Sequence, residues 1–199
     1  MIRKNISTGC ALSFCLLLIF VLYDSIAVSK DDILYLTLYL KNNIHAQKHQ
    51  EECKASYANW TNPGGGHFII PINTQVKYMR NYRNGFIIQV MDDSFPEDKR
   101  RIYFQYDRGR MGMSISEYME LIASSQPVSL QEFSEIDLKG IREGKVYQGM
   151  TKEGVRTALG YPAMHRTPSL EENAWIYWTN RFRTRTVEFD DSGKVAKVR

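Results

Sequence analysis

From residue 33 to residue 106 the sequence keeps returning to short β-like runs separated by tight turns. That rhythm predicts a small closed β-barrel. The run 33–40 alternates with period two: Leu34, Leu36, Leu38 and Leu40 share one parity, and Tyr35, Thr37 and Tyr39 share the other. Period two reads as a strand with its Leu face inward. Residues 42–60 are polar and rich in His, and 62–66 reads as a flexible Gly-rich loop. Further β-like runs follow at 67–71, 74–80, 86–91 and 101–106, with Asn84-Gly85 as a hairpin signal and a polar loop at 92–99.

Residues 107–113 are Gly-rich and close this region. Ser114 and Glu117 form a capping box, so 114–124 reads as a helix with Ile115, Tyr118, Met119 and Ile122 as its apolar stripe. Gln126-Pro127 ends it. Between 129 and 139, Phe133, Ile136 and Leu138 fit a short helix or an extended connector equally well.

The last third carries the sharpest local code. Thr151 is a good N-cap, and Glu153 lies in the first turn. Val155, Ala158 and Leu159 fall at i, i+3 and i+4 and make one buried face. Gly160 suits a left-handed C-terminal position, and Pro162 blocks continuation. Strands are predicted at 173–178, 184–189 and 194–198, with a hairpin turn at 190–193.

The N-terminus reads as a targeting signal. Arg3 and Lys4 precede an apolar run over 10–23, which is short for a membrane span of roughly 20 residues. Ser25 and Ala27 are small, so cleavage after Ala27 is expected, with an uncleaved inner-membrane anchor as the alternative. Neither Cys10 nor Cys15 stands where a lipid-attachment Cys would, so no lipidation is expected. Cys53 alone would remain in the mature chain, and one cysteine forms no internal disulfide.

The chain of 199 residues, 43% hydrophobic, is long enough for one good core or two small ones. Its net charge of +4 permits contact with anionic surfaces without demanding nucleic acid. No nucleophile elbow, phosphate-binding loop or zinc-binding helix occurs, so no enzyme activity, cofactor or metal is expected. One metal-binding or enzymatic alternative remains: His45, His49 and Cys53 lie at i, i+4 and i+8 and would share a face on a helix, with His67 as a further ligand. Asn59-Trp60-Thr61 matches a glycosylation acceptor, which an exported bacterial chain would carry by chance.

The ordered set Gly149, Met150, Thr151, Val155, Leu159, Gly160, Pro162, Trp175, Tyr177, Phe189, Asp190, Gly193, Lys194 and Val195 resembles the SmpA/OmlA (BamE-like) family. The resemblance covers 146–199. More loosely, the strand rhythm of 33–106 resembles bacterial Src-homology-3-like barrels. The first resemblance implies an α+β fold, a helix plus a three-stranded antiparallel meander after the barrel, with Gly149, Met150, Thr151, Leu159, Gly160 and Pro162 as motif residues. The expected organisation is a signal peptide at 1–27, a barrel domain at 31–110, a helical connector at 111–145 and the SmpA/OmlA-like domain at 146–199. The resemblance also implies a non-enzymatic, protein-binding role in the periplasm or at a membrane of a Gram-negative envelope, for example in outer-membrane assembly. Anionic lipid and peptidoglycan are further expected partners, and cell-wall binding through Tyr78, Tyr82 or Tyr103 is the main alternative function. Aromatic Trp175, Tyr177 and Trp178 and basic Arg181, Arg183 and Arg185 are the expected partner-binding residues, with His165 and Arg166 added for an anionic surface.

Overall fold

The structure is a computed structural model that describes residue 34 and residues 36–199. The signal-peptide and lipidation readings, and the strand positions Ile33 and Tyr35, lie outside the described residues. Eleven strands and four α-helices are described. Eight strands form one sheet: β1 (Thr37–Leu40), β2 (Ile44–His49), β3 (Glu52–Ser56), β4 (His67–Ile70), β5 (Gln75–Tyr82), β6 (Gly85–Val90), β7 (Arg101–Gln105) and β8 (Ala123–Ser124). Their spatial order is β4-β2-β3-β7-β6-β5-β1-β8, with β3 and β7 parallel. β9 (Ala174–Trp178), β10 (Thr184–Phe189) and β11 (Val195–Val198) form a separate antiparallel sheet with β10 central. The helices are α1 (Arg108–Met111), α2 (Ile115–Ile122), α3 (Glu135–Glu143) and α4 (Lys152–Leu159).

The α+β expectation of a small closed barrel followed by a BamE-like helix and meander is therefore corrected: the protein is mostly β. Closure fails because β4 and β8 remain as edges of a curled half-barrel. The concave side is filled instead by α2, whose Tyr118 and Met119 are buried against it. The Tyr118 ring lies 5.5 Å from Phe104 and 5.0 Å from Tyr106, and Phe104 stacks on Phe86 at 4.9 Å. The predicted α2 capping box is present, with Ser114 and Glu117 satisfying each other's backbone N–H groups.

Two strands occupy the stretch read as polar. In β2, Ile44 and Ala46 face the core, and in β3 so do Cys53 and Ala55. The turn between them places Gln50 at φ 56, an unusual choice for a left-handed position. The uncertain connector contains α3, capped by Ser134 and Asp137. Asp137 is buried, and its second oxygen accepts the Thr151 N–H at 2.8 Å, so one carboxylate serves the starts of both α3 and α4. Thr151 caps α4 as predicted, and Val155, Ala158 and Leu159 are fully buried.

α4 is fastened to β2 by Asn43, which is 1% exposed. Its backbone N–H donates to Thr157 O at 2.8 Å, and its amide donates to Ile141 O at 2.6 Å and Ala158 O at 3.3 Å. Its side-chain oxygen accepts Ile72 N–H at 2.9 Å. After α4 the chain enters the first core through Tyr161 and Ala163. The C-terminal elements are thus built onto the large sheet.

Removing the Asn43 side chain strands a buried donor and carbonyl acceptors, at about 1–3 kcal/mol for each group left without a partner. Asn43→Ala is expected to lower unfolding free energy by about 3 kcal/mol, read from urea denaturation. A Cβ on Gly154 would lie 1.9 Å from Asp137 Oδ1. Gly154→Ala is expected to cost about 2 kcal/mol, while Gly65→Ala, which meets nothing within 4 Å, leaves the midpoint in place.

Candidate functional site

β3 and β7 run parallel and end together at Ser56 and Gln105. Beyond those ends, the loop 57–62 lies along the end of β9: Thr61 N–H donates to Trp178 O at 3.0 Å and Asn62 N–H to Thr179 O at 2.8 Å. The two sheets thereby enclose an open cleft of about 620 Å³. Openings at the mouths of β-barrels are common binding sites. Ring surface comes from Tyr57, Trp60, Tyr103 and Trp178. Trp60 and Trp178 are half-buried and packed on the first core. The enclosed indole N–H of Trp178 has no acceptor among the described residues, so Trp178 contributes ring area to the wall.

Positive charge comes from Lys54, Arg83, Arg110 and Arg181, and no carboxylate lines the cleft. Glu52, outside the lining, holds Lys54 at 2.9 Å and Arg83 at 3.2 Å. Arg83 also lies over the Tyr82 ring at 4.8 Å and the Tyr103 ring at 5.7 Å. Arg110 donates to Tyr57 OH at 3.1 Å and pairs with Asp107 at 3.4 Å. Among the described residues Arg181 has no ion-pair partner. His165 sits beside Tyr57, and partial burial together with Arg110 and Arg166 lowers its proton affinity.

The expected site residues separate. Trp175 and Tyr177 are 2% and 1% exposed in the second core, so they cannot form a docking face. Their faces follow the predicted parity, which leaves Trp178 on the cleft side. Arg181 lines the cleft, Arg183 lies in the exposed turn between β9 and β10, and Arg185 is half-buried in β10. Phe182, between two of these arginines, is 83% exposed and was not among the expected residues. The motif residues are structural: Met150 and Leu159 are fully buried, Pro162 is buried, Gly160 sits at φ 82, and Thr151 caps α4. Gly149 has φ 87 and donates its N–H to Val195 O at 2.8 Å. Of the cell-wall tyrosines, Tyr103 lines the cleft, Tyr82 meets it edge-on at 5.5 Å, and Tyr78 lines a separate opening.

The His45, His49 and Cys53 set does not assemble. The segment is a β-hairpin in which Cys53 pairs with Lys48, so Cys53 shares the Lys48 face while His45 and His49 share the other. No group of three or more His, Cys, Asp or Glu side chains that could hold a metal occurs among the described residues. His45 stacks on His67 with ring centroids 5.2 Å apart. Its Nε2 is 3.0 Å from Ala158 O and its Nδ1 is 3.0 Å from His67 Nε2. A carbonyl can only accept, so His45 Nε2–H donates to it, and His45 Nδ1 accepts the proton of His67 Nε2–H. Asn59 is likewise structural: it is buried, and its amide donates to Tyr161 O.

No family model matches the chain, and neither a curated protein nor a solved structure matches it.

Burial lowers the His45 pKa from 6.5 to about 4, assisted by His67 and opposed by the Ala158 hydrogen bond. Burial lowers His67 as well. Above the unfolded value the ring is neutral in both states. As pH falls from 6.5 toward about 4, only the unfolded chain takes up the His45 proton. Stability should then decline by roughly 1.4 kcal/mol per pH unit from this ring alone and level off below the folded value. Urea midpoints at pH 7.5 and 4.5 test this: the acid loss should shrink in His45→Asn, and an unchanged loss would contradict the assignment.

Proposed function

We propose that this chain is a non-enzymatic binding protein of a bacterial cell envelope that docks on another envelope protein. The observation that carries the reading is the turn between β9 and β10, where Phe182 is 83% exposed between Arg181 and Arg183. No other large apolar side chain among the described residues exceeds 51% exposure. A large ring exposed at a turn, with Arg181 over its face at 5.7 Å and flanking arginines that have no ion-pair partner among the described residues, has the chemistry of an interface anchor. The turn is held by its own bonds: Asn180 Oδ1 accepts from Phe182 N–H at 2.9 Å and from Arg183 N–H at 3.0 Å. A preordered anchor loses little entropy on docking.

Two sequence readings support the location. The basic start, apolar run and Ala27 fit an export signal. The order of motifs over 146–199 resembles the SmpA/OmlA family, whose members serve the envelope. The partner should be acidic where it meets Arg181 and Arg183, and apolar where it meets Phe182.

Placing a photo-crosslinking phenylalanine analogue at position 182 in intact cells tests the proposal. A discrete envelope-protein adduct is expected, and none from the same analogue at exposed Glu132. Phe182→Ala should reduce recovery of that partner at least tenfold without altering the melting temperature. Adducts to lipid alone, or none, would overturn the reading.

A further inference from the structure

The geometry points to a second binding function: the cleft between the two sheets takes a carboxylated oligosaccharide. At about 620 Å³ the cleft is far larger than an inorganic anion needs and lies within the usual range for organic ligands, roughly 300–1,000 Å³. Its walls carry three kinds of group, and each matches one part of an acidic sugar chain. Trp60, Trp178 and Tyr103 supply ring surface, which packs against the C–H faces of pyranose rings. Asn84 and Gln105 supply amides at the sides. The Asn84 side-chain oxygen is engaged by Tyr103 OH, which fixes that amide and directs its N–H groups elsewhere. Such fixed amides suit the hydroxyl and acetamido groups of a sugar.

The charges select an acid. Lys54, Arg83, Arg110 and Arg181 line the cleft, while Glu52 and Asp107, outside its lining, pair with three of the four. Arg181 has no carboxylate partner among the described residues, lying instead over the Phe182 ring at 5.7 Å, so its charge remains available to an incoming carboxylate. Apart from Ala58 the lining holds no aliphatic side chain, so an acyl chain finds no complementary wall. A nucleic-acid strand would use the same rings and cations, but four cations in one cleft and a net charge of only +4 make a small electrostatic footprint for a phosphate backbone. Phe182 does not line the cleft, although Arg181 lies over its ring at 5.7 Å and both border a smaller neighbouring opening with Trp60.

The test is calorimetric titration of the full folded chain with a tetrasaccharide of alternating N-acetylglucosamine and N-acetylmuramic acid, the carboxylated glycan of the expected compartment. Chitotetraose offers similar rings without the carboxylate, and inorganic phosphate offers charge without rings. The tetrasaccharide should bind at least tenfold more tightly than chitotetraose, and phosphate should neither bind nor compete. Arg181→Gln, at an exposed side chain, should erase the preference for the acid while sparing the melting temperature. Trp60→Ala should weaken both sugars. Equal binding of the two saccharides, competition by phosphate, equally tight binding of a tetrathymidylate, or no binding of the tetrasaccharide would each overturn the assignment. The crosslink at position 182 is untouched by any of these outcomes, so the two proposals fail separately.

Discussion

Asn43 joins β2 to the helical layer through a backbone N–H and a side chain whose donor and acceptor ends are both engaged in the interior. His45, two residues on, donates to the same Ala158 carbonyl. Without these bonds the last turn of α4 would bring bare carbonyls against a β-sheet, and buried acceptors without donors are costly. With them, the first core and the second become one body. The cleft depends on this seam, because one of its walls comes from the large sheet and the other from the end of β9.

The helical elements also account for why the half-barrel stays open. Beyond β4 the next layer is helical: a Cβ at Gly144, the α3 C-cap, would clash with Ile69 of β4 and with His45. On the concave side α2 supplies Tyr118, Met119 and Ile122, and β8 follows it directly to pair with β1. Open edges are a liability in β proteins. Here one edge strand has only two residues and the other lies beside the end of a helix.

Much of the fold was legible because local rules and tertiary structure agree. The α2 capping box, the Thr151 cap, the Val155-Ala158-Leu159 face and the three C-terminal strands all sit within a few residues of where periodicity places them. The Asn84-Gly85 signal was off by one: the turn is Arg83-Asn84, and Gly85 already pairs with Tyr82. The region 42–60 misled because Asn43, His45 and Asn59 within it are buried and bonded rather than solvated. His45, Asn43 and Asn59 spend their polar atoms on distant carbonyls, which no local pattern reports. The alternation of Ile44 with Ala46 and of Cys53 with Ala55 was the available signal. Strand order was not legible, since the parallel pairing of β3 with β7 joins segments separated by three other strands.

The candidate sites were legible to different degrees for the same reason. Parity assigned Trp175 and Tyr177 to one face and Trp178 to the other, but it could not say which face was core. Burial decides it: Trp175 packs edge-on against Phe189 at 4.8 Å, while Trp178 reaches the cleft. The cleft draws lining residues from β3, the loop after it, the β5–β6 turn, β7, α1 and the β9–β10 hairpin. No single stretch of sequence carries that set, so composition of any one segment understates it. Its cations are spaced by scaffold rather than by motif, and Arg83 and Arg110 belong to segments that were read as a turn and as a barrel terminus. A recognition surface of this kind depends on rigid framing more than on any one residue, because each charge must be held where its neighbours are. Glu52 does this for Lys54 and Arg83, and Tyr57 with Asp107 does it for Arg110. Of the four cations that line the cleft, Arg181 has no carboxylate partner among the described residues, and it stands where the cleft meets the exposed hairpin carrying Phe182.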